Sequence, residues 1–328
     1  MRSGRRRKIV LLVVLLAALL LVGVLASLLS RHVTRARHLV ILAATAAPYM
    51  VVVALLSLVL FLVARSEIGS IAALAMAVVA LGVQVRAHIA GRGARRSGSA
   101  DDVLSVMTIN LYFGRGDAAR VLEAARAHDV DLLAMQEITA EAVEALRALG
   151  IDEAYPYSVL APAPQWEGVA LWSRLPLRDQ HTELVGQLHR VSAVVSLDPD
   201  RPDDDPTVVS LHINAPWPEP PGDWVAQLAG LREQLREHQR PVIAMGDYNA
   251  TLDHAPFRAL LGGGCTDAAL TARAWWRPTY PAFRLLPPLV TLDHIVVSGL
   301  RSTHVTTARI PGSDHLAVIG ALARQPMP

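Results

Sequence analysis

VIAMGDYNA, residues 242–250, is a short apolar run that stops at an acid and an amide. Val242, Ile243, Ala244 and Met245 suit a strand buried on both faces of a sheet. Gly246 breaks the run, and Asp247 and Asn249 follow two residues apart, on one side of the chain while it stays extended. Gly, Asp and Asn are also the residues that make turns. The stretch alone therefore admits two readings, a turn or a functional site at the end of a central strand. The choice rests on the other strand ends.

Working outward, the same event recurs. VMTINLYFG leaves Asn110 at the end of an apolar run, LLAMQEI leaves Gln136 and Glu137, and VVSLHINAP leaves His212 and Asn214. LDHIVVS carries Asp293 near its start, and GSDHLAV carries Asp314 and His315 just before its own. Each has an ordinary structural explanation by itself: a turn for Asn110, Asp247 and Asn249, a capped helix start for Glu137, a satisfied core histidine for His212. Together they gather phosphate- and metal-handling side chains at strand ends, where sites collect in sheet proteins.

The apolar pattern from Val103 onward is that of a mixed α/β domain. It predicts strands at 104–109, 132–136, 168–173, 191–197, 207–213, 241–246, 292–297, 303–309 and near 316–322. Helices are predicted at 117–128, 140–149 and 223–238, with a short one near 255–261. Strands outnumber helices and come both in succession and in alternation, which suggests two mixed sheets packed together with helices outside, a four-layer sandwich. DPDRPDDDP, residues 198–206, reads as an acidic, solvated hairpin loop, and Cys265, after three glycines, as part of a loop.

With these residues in view, the chain from about Val103 to Arg324 resembles the endonuclease/exonuclease/phosphatase superfamily of metal-dependent phosphoesterases. The resemblance rests on an ordered series: Asn110, Gln136-Glu137, His212, Gly246-Asp247-x-Asn249, Asp293-His294 and Ser313-Asp314-His315. It implies Glu137 as principal ligand of Mg²⁺ (or Mn²⁺), with Asn110 supporting it and Asp314 able to take a second metal or a water. Asp247 would hold or deprotonate the attacking water, and Asn249 would donate to a phosphoryl oxygen. Asp293 would fix the tautomer of His315, and His212 would stabilise the charge that develops on phosphorus. Whether Asp247 or His315 is the base, and whether one metal or two are bound, stays open.

The front of the chain is different. Mean hydropathy is +0.33 and 52% of the 328 residues are hydrophobic. The excess lies in residues 9–30, 39–64 and 68–85, three uncharged stretches of which the first two are long enough to cross a hydrocarbon core of about 30 Å. The expected organisation is a membrane segment (1–85), a basic Gly/Ser-rich tether (86–102) and a phosphoesterase domain (103–325). Residues 1–100 hold thirteen of the 31 basic residues and one of the 29 acids, which leaves 18 bases against 28 acids in residues 101–328. A domain of net charge −10 with no lysine does not offer the cationic surface by which non-specific nucleases bind DNA. The single cysteine excludes an internal disulfide framework.

The anchor points instead to a phosphorylated lipid or isoprenoid substrate in the bilayer. NAPWPEPPGDW (214–224), with Asn214 and Trp217, and WWRPTYPAFRLLPPLV (275–290) are expected to form loops beside the site, as an apolar lip for the lipid tail. Three spans, a tether and a phosphoesterase domain resemble the membrane proteins of the VanJ teicoplanin-resistance type, which implies an extracytoplasmic site acting on undecaprenyl pyrophosphate. Arg2, Arg5, Arg6, Arg7 and Lys8 favour a cytoplasmic N-terminus, whereas Arg31, Arg35 and Arg37 and the arginines of the tether pull the other way. With three spans, or with a cleaved leader and two, the domain lies outside. A membrane-tethered nuclease and a non-catalytic module that sequesters a phospholipid are the competing readings. The sequence carries no sign of oligomeric state.

Overall fold

The computed structural model describes residues 2–90, 104–274, 276–283 and 286–324. The chain divides into two compact units, Met1–Ile89 with Leu252–Ala255, and Ala90–Thr251 with Pro256–Pro328. Most of the expected tether, residues 91–102, lies outside the described residues, as do Trp275, Arg284 and Leu285 of the expected lip.

The first unit is helical: α1 (Arg2–Ser30), α2 (His38–Thr45), α3 (Met50–Val63) and α4 (Glu67–Ala90). Residues 5–30 and 67–86 are each long and apolar enough to cross a membrane. The middle stretch is bent by 44° between His38–Thr45 and Ala47–Val63, and counts as a third candidate if the bent pair is one span. Pro48, which lacks an N–H to donate, sits at this break within a short 3₁₀ turn (Ala47–Tyr49). Leu11, Leu12, Leu19, Val52, Leu62, Ile71 and Val78 are all exposed, so the helices present apolar side chains outward and fit a membrane segment. Helix α4 continues to Ala90, so the start of the tether expected at residue 86 is helical.

The second unit is a four-layer sandwich. Twelve strands follow in chain order: β1 (Leu104–Asn110), β2 (Leu132–Gln136), β3 (Tyr157–Ala161), β4 (Val169–Ser173), β5 (Leu177–Val185) and β6 (Leu188–Val195), then β7 (Thr207–His212), β8 (Val242–Asp247), β9 (Cys265–Asp267), β10 (Asp293–Ser298), β11 (Leu300–Arg309) and β12 (Leu316–Arg324). They form two six-stranded mixed sheets in the orders β11-β12-β1-β2-β4-β3 and β5-β6-β7-β8-β10-β9. Val106, Leu132, Ala134 and Leu171 of one sheet meet Val191, Val208, Ile243, Met245 and Ile295 of the other in a shared core. A second core forms where Met107, Ile109, Leu133, Met135 and Trp172 pack under α5 (Ala118–Ala127) and α6 (Ala140–Ala148). Asp117 caps α5 through the amides of Ala119 and Arg120, and Thr139 caps α6 through Ala142. Helix α8 (Pro221–Glu237) buries Trp224, Leu228, Leu231 and Leu235. The short helices α7 (Ile151–Ala154), α9 (Ala255–Leu260) and α10 (Ala268–Thr271) are the remaining α-helices among the described residues.

Several features depart from the expected pattern. β3, β5 and β9 were not foreseen: β5 is polar and mostly exposed, and β9 has only three residues. Cys265 therefore lies in a strand and is buried rather than in a loop. The acidic loop 198–206 is not all solvated surface. Asp205 is buried, accepts from the amides of Leu197 and Asp198, and pairs with Arg178 at 2.8 Å.

Gly246 is the tightest point of the central strands. Its φ is +155°, and a Cβ there would lie 1.8 Å from the carbonyl oxygen of Leu211 on β7. Gly246→Ala is thus expected to lower stability by on the order of 3 kcal/mol, through overpacking against backbone that cannot turn away. Thermal unfolding followed by tryptophan emission would show it, and an unchanged midpoint would refute it.

Candidate active site

Strand pairing sets the site before any side chain is considered. β8 runs parallel to β7 with His212 opposite Asp247, and antiparallel to β10 with Asp293 opposite the same Asp247. Three ionisable side chains thereby stand abreast at one edge of one sheet. In the other sheet β1 and β2 are parallel with Asn110 opposite Gln136, which places Glu137 one residue past that edge. β12 is antiparallel to β1, so Ser313-Asp314-His315, just before it, returns to the end of β1. Ser313 Oγ donates to the Asn110 carbonyl at 2.7 Å and accepts from the His315 amide at 2.9 Å. Gly312 allows this return, because a Cβ there would meet the Arg115 carbonyl at 2.1 Å.

The side chains converge on Asp247. Its Oδ1 accepts from the Asn249 amide at 2.8 Å, and its Oδ2 from Asn110 Nδ2 at 3.1 Å. The same Oδ2 lies 3.7 Å from both His212 Nε2 and His315 Nε2. Asn110 also donates to Glu137 Oε1 at 2.9 Å, and Glu137 Oε2 accepts from the Phe113 amide at 2.8 Å. His315 Nδ1 bonds to Asp293 Oδ2 at 2.7 Å, which leaves Nε2 facing Asp247. His212 Nδ1 donates to the Trp166 carbonyl at 3.1 Å, so its Nε2 also faces inward. Asn249 Nδ2 donates to the Ile213 carbonyl at 2.9 Å and lies 3.4 Å from His212 Nε2.

The electrostatics follow from burial. Burial pushes the Asp247 carboxyl up, and neighbouring Asp293 adds to that while His315 and His212 oppose it. Burial alone would push the His315 imidazole down, but the carboxylates of Asp293, Asp247 and Asp314 raise it to about 10. Asp314 is raised to about 6, first by burial and then by Glu137 and Asp247. Carboxylates held up in this way are a site short of positive charge. Asp293 Oδ1 is buried and has no hydrogen-bond partner among the described residues, a second sign of the same deficit.

These donors fit a divalent cation, on either of two sides of the cluster. Asp247, Asp293 and His315 offer ligand atoms within 4.8 Å of one another. His315, though, spends Nδ1 on Asp293 and is held protonated, so it serves better as a proton carrier than as a ligand. Glu137 and Asp314 offer hard carboxylate oxygens of the kind Mg²⁺ prefers.

Of the residues singled out in the sequence, Asn110, Glu137, His212, Asp247, Asn249, Asp293, Asp314 and His315 come together. Asn214 is half-buried, and its backbone amide donates to Gln227 Oε1 at 2.8 Å. Trp217 is 60% exposed. Gln136, although part of the motif, is a core residue: it accepts from Thr108 at 3.1 Å and reaches Ser210 of the opposite sheet at 3.4 Å. Sequence reasoning missed Tyr280, whose ring centroid lies 5.0 Å from that of His315, and Phe113 and Trp166, which pair edge to face at 6.4 Å.

With this geometry established, comparison identifies the family. The Endonuclease/Exonuclease/phosphatase family model matches residues 107–315. The chain belongs to that family. Its members are phosphoesterase and nuclease hydrolases, generally dependent on a divalent metal. No curated protein matches the sequence. Solved structures share the fold at low identity. A D. rerio TDP2 complexed with single strand DNA product is 14% identical, covering 68% of this chain and 100% of that one, with a TM-score of 0.56. The human Nocturnin catalytic domain with bound sulfate is 18% identical, covering 68% and 94%, with a TM-score of 0.52. A mannosyl-6-phosphatase from Bacteroides thetaiotaomicron is 17% identical, covering 67% and 99%, with a TM-score of 0.51.

His315→Ala is expected to lower phosphoester hydrolysis roughly 10²–10⁴-fold, the usual worth of a positioned acid–base group. Adding Asp293→Ala should then cost little more, because a hydrogen-bonded pair acts as one unit. Steady-state rates of the two single variants and the double variant test this. Multiplicative losses would show that the two residues act separately.

Proposed function

We propose that this protein is a membrane-anchored, Mg²⁺-dependent phosphohydrolase (Mn²⁺ being the alternative ion) acting on a lipid-linked phosphate or pyrophosphate. The observation that carries the chemistry is the inward-facing Nε2 of His315, braced by Asp293 and 3.7 Å from Asp247. The apolar helices of the first unit, long enough to cross a bilayer, support the membrane location.

Hydrolysis at phosphorus needs an aimed water, neutralised phosphoryl oxygens and a proton for the leaving oxygen. Asp247, the common neighbour of both imidazoles, holds the attacking water. His315 moves a proton at Nε2, with Asp293 fixing the ring through Nδ1. Asn249 and His212, in contact with each other, steady the phosphoryl oxygens from the β7 side. Glu137, with Asn110 beside it and Asp314 across the cluster, would hold the divalent cation, which would supply charge neutralisation on the phosphoryl group. Asn214 and Trp217 extend this surface toward the rest of the substrate.

Location and charge support this substrate class. A stretch with ten more acids than bases, residues 101–328, is poorly suited to a polyanionic strand, whereas a domain anchored in a bilayer meets lipid phosphates at high local concentration. Undecaprenyl pyrophosphate is the specific candidate, which would place the protein in cell-wall carrier recycling and glycopeptide resistance, with the site outside the cell.

The full chain in detergent micelles is expected to release phosphate from an isoprenoid diphosphate with Mg²⁺ and to stop on chelation. Faster cleavage of DNA, falling steeply with salt, would replace this reading with a tethered nuclease. Lipid binding without turnover would replace it with a sequestering module.

Sidedness is tested separately. Reporters fused after Arg324, one active only outside the cell and one fluorescent only inside, are expected to report the outside. Deleting residues 68–85 should invert the result by removing one crossing. A cytoplasmic signal from the intact fusion would end the carrier-recycling reading.

A further inference from the structure

The turn that follows β1 is strained and bound to the site. Tyr112, Phe113 and Gly114 have φ of +50°, +56° and +70°, three consecutive residues in the left-handed region that side chains other than hydrogen disfavour. Two side chains of the site hold the first two there. The Tyr112 amide donates to Asn110 Oδ1 at 2.9 Å, and the Phe113 amide to Glu137 Oε2 at 2.8 Å. The amides of Arg115 and Gly116 then close the turn on the Tyr112 and Leu111 carbonyls, at 3.1 and 2.9 Å. From the other side Gly312, two residues before Asp314, leaves no room for a Cβ against the Arg115 carbonyl. Backbone strain of this kind persists where the surroundings over-determine it, and it collects at functional sites.

What the turn carries is a cation without a counter-ion. Arg115 is exposed, and its guanidinium carbon lies 4.9 Å from the centroid of the Tyr112 ring and 5.4 Å from that of Phe113. Among the described residues its side chain has no acid partner, whereas Arg120 pairs with Glu123, and Arg147 with Glu144 and Asp152. The nearest acid in sequence, Asp117, is spent on the amides of Ala119 and Arg120. A guanidinium stacked on rings is held in place while its fork of N–H donors stays free for a planar anion or a phosphate. The rings also lead back to the cluster. Phe113 meets Trp166 edge to face at 6.4 Å, and the Trp166 carbonyl holds His212 Nδ1 at 3.1 Å.

We propose that Arg115 recognises a second phosphoryl group, joined to the one bound at Asp247 and His315, and so makes the site selective for a phosphoric anhydride over a simple phosphate ester. This rests on the phosphohydrolase reading above, and it separates the two substrate classes, phosphate and pyrophosphate, that the reading joins. A simple ester leaves Arg115 without a counter-ion, and a diphosphate supplies one. The acids of the cluster repel a second phosphoryl group, so a substrate that carries one needs a cation outside the cluster. Arg115 is that cation, on a turn whose backbone is fixed by Asn110 and Glu137 themselves. Its role is specificity, distinct from the proton transfer at His315.

The full chain in detergent micelles with Mg²⁺ is titrated calorimetrically with two probes. Methylphosphonate carries one phosphoryl group, and methylenediphosphonate carries two, joined through carbon and resistant to cleavage. The wild type is expected to bind the diphosphonate more tightly. Arg115→Ala should weaken diphosphonate binding by about 10–100-fold, the usual worth of a lost charge-assisted hydrogen bond, and leave methylphosphonate binding unchanged. Arg115→Lys, which keeps a charged stem on the rings but not the fork, should weaken it too, by less. Mg²⁺ binds the free diphosphonate equally in every titration, so the comparison between variants is unaffected. Loss of both probes alike in Arg115→Ala, loss of neither, or a wild type without preference for the diphosphonate overturns the proposal. Expected binding without turnover of an isoprenoid diphosphate refutes the hydrolase reading alone, so the two failures are told apart.

Discussion

The placement of β8 between a parallel and an antiparallel neighbour is the constraint on which the site depends. Because β7 runs with β8 and β10 runs against it, the last residue of β7, the last of β8 and the first of β10 share one row. No loop has to be folded with precision to bring His212, Asp247 and Asp293 together, since backbone hydrogen bonds do so. The close approach that makes this possible is at Gly246, where β8 passes the Leu211 carbonyl with no room for a side chain. A one-residue slip of β10 would send Asp293 to the other face of the sheet and leave His315 without its partner.

Such a row gathers charge in a place with little water. Asp247 and Asp293 are buried, and Asp314 and His315 nearly so. Buried carboxylates are tolerated when they are paired and hydrogen-bonded, and destabilising when they are not. Here the pairing is incomplete: His315 compensates Asp293, while Asp247, Asp314 and Glu137 share what remains of the positive charge. The fold therefore holds a surplus of negative charge at the site, which a divalent cation and an incoming water can use. A second buried pair steadies the loop behind it. His294 bonds to Asp267 at 2.5 Å and to the Ala250 carbonyl at 2.8 Å, and packs on Phe257 and Tyr248. Burial pushes the His294 imidazole down, but Asp267 on one ring nitrogen and the Ala250 carbonyl on the other outweigh it and raise it. Ala250 closes the segment that begins at Asp247, so this pair fixes the chain on which Asn249 is mounted.

Much of this was legible in the sequence, for a physical reason. A strand covered on both faces must be apolar throughout, so the polar residue that ends it stands out, as Asn110, Glu137, His212 and Asp247 do. What escaped was set by tertiary contact. β5 is an edge strand whose residues Asp179, Gln180, His181 and Thr182 are exposed, and it reads as loop because only one neighbour holds it. Tyr280 reaches His315 only because its backbone pairs with Val290, ten residues on, in a proline-rich stretch with no strand period. Gln136 shows the converse. It sits in a catalytic motif by position, yet its amide is consumed in linking the two sheets through Thr108 and Ser210. Residue type and spacing do not separate that role from a place in the site, because strand direction decides which side each residue faces.

The same chain carries two opposed electrostatic demands. The site concentrates acids, and residues 101–328 carry ten more acids than bases. An anionic membrane surface repels such a body at distances up to a Debye length of about 8 Å at physiological salt. A covalent anchor removes the entropic barrier to approach but does not orient the domain. In sequence, residues 273–292 oppose this surplus with three arginines and no acid; Thr279 and Ala282 within them bond through their backbone to Leu316 and Asp314, and the Tyr280 ring lies against His315. The stretch of opposite charge is thus tied through its backbone to the cluster of acids.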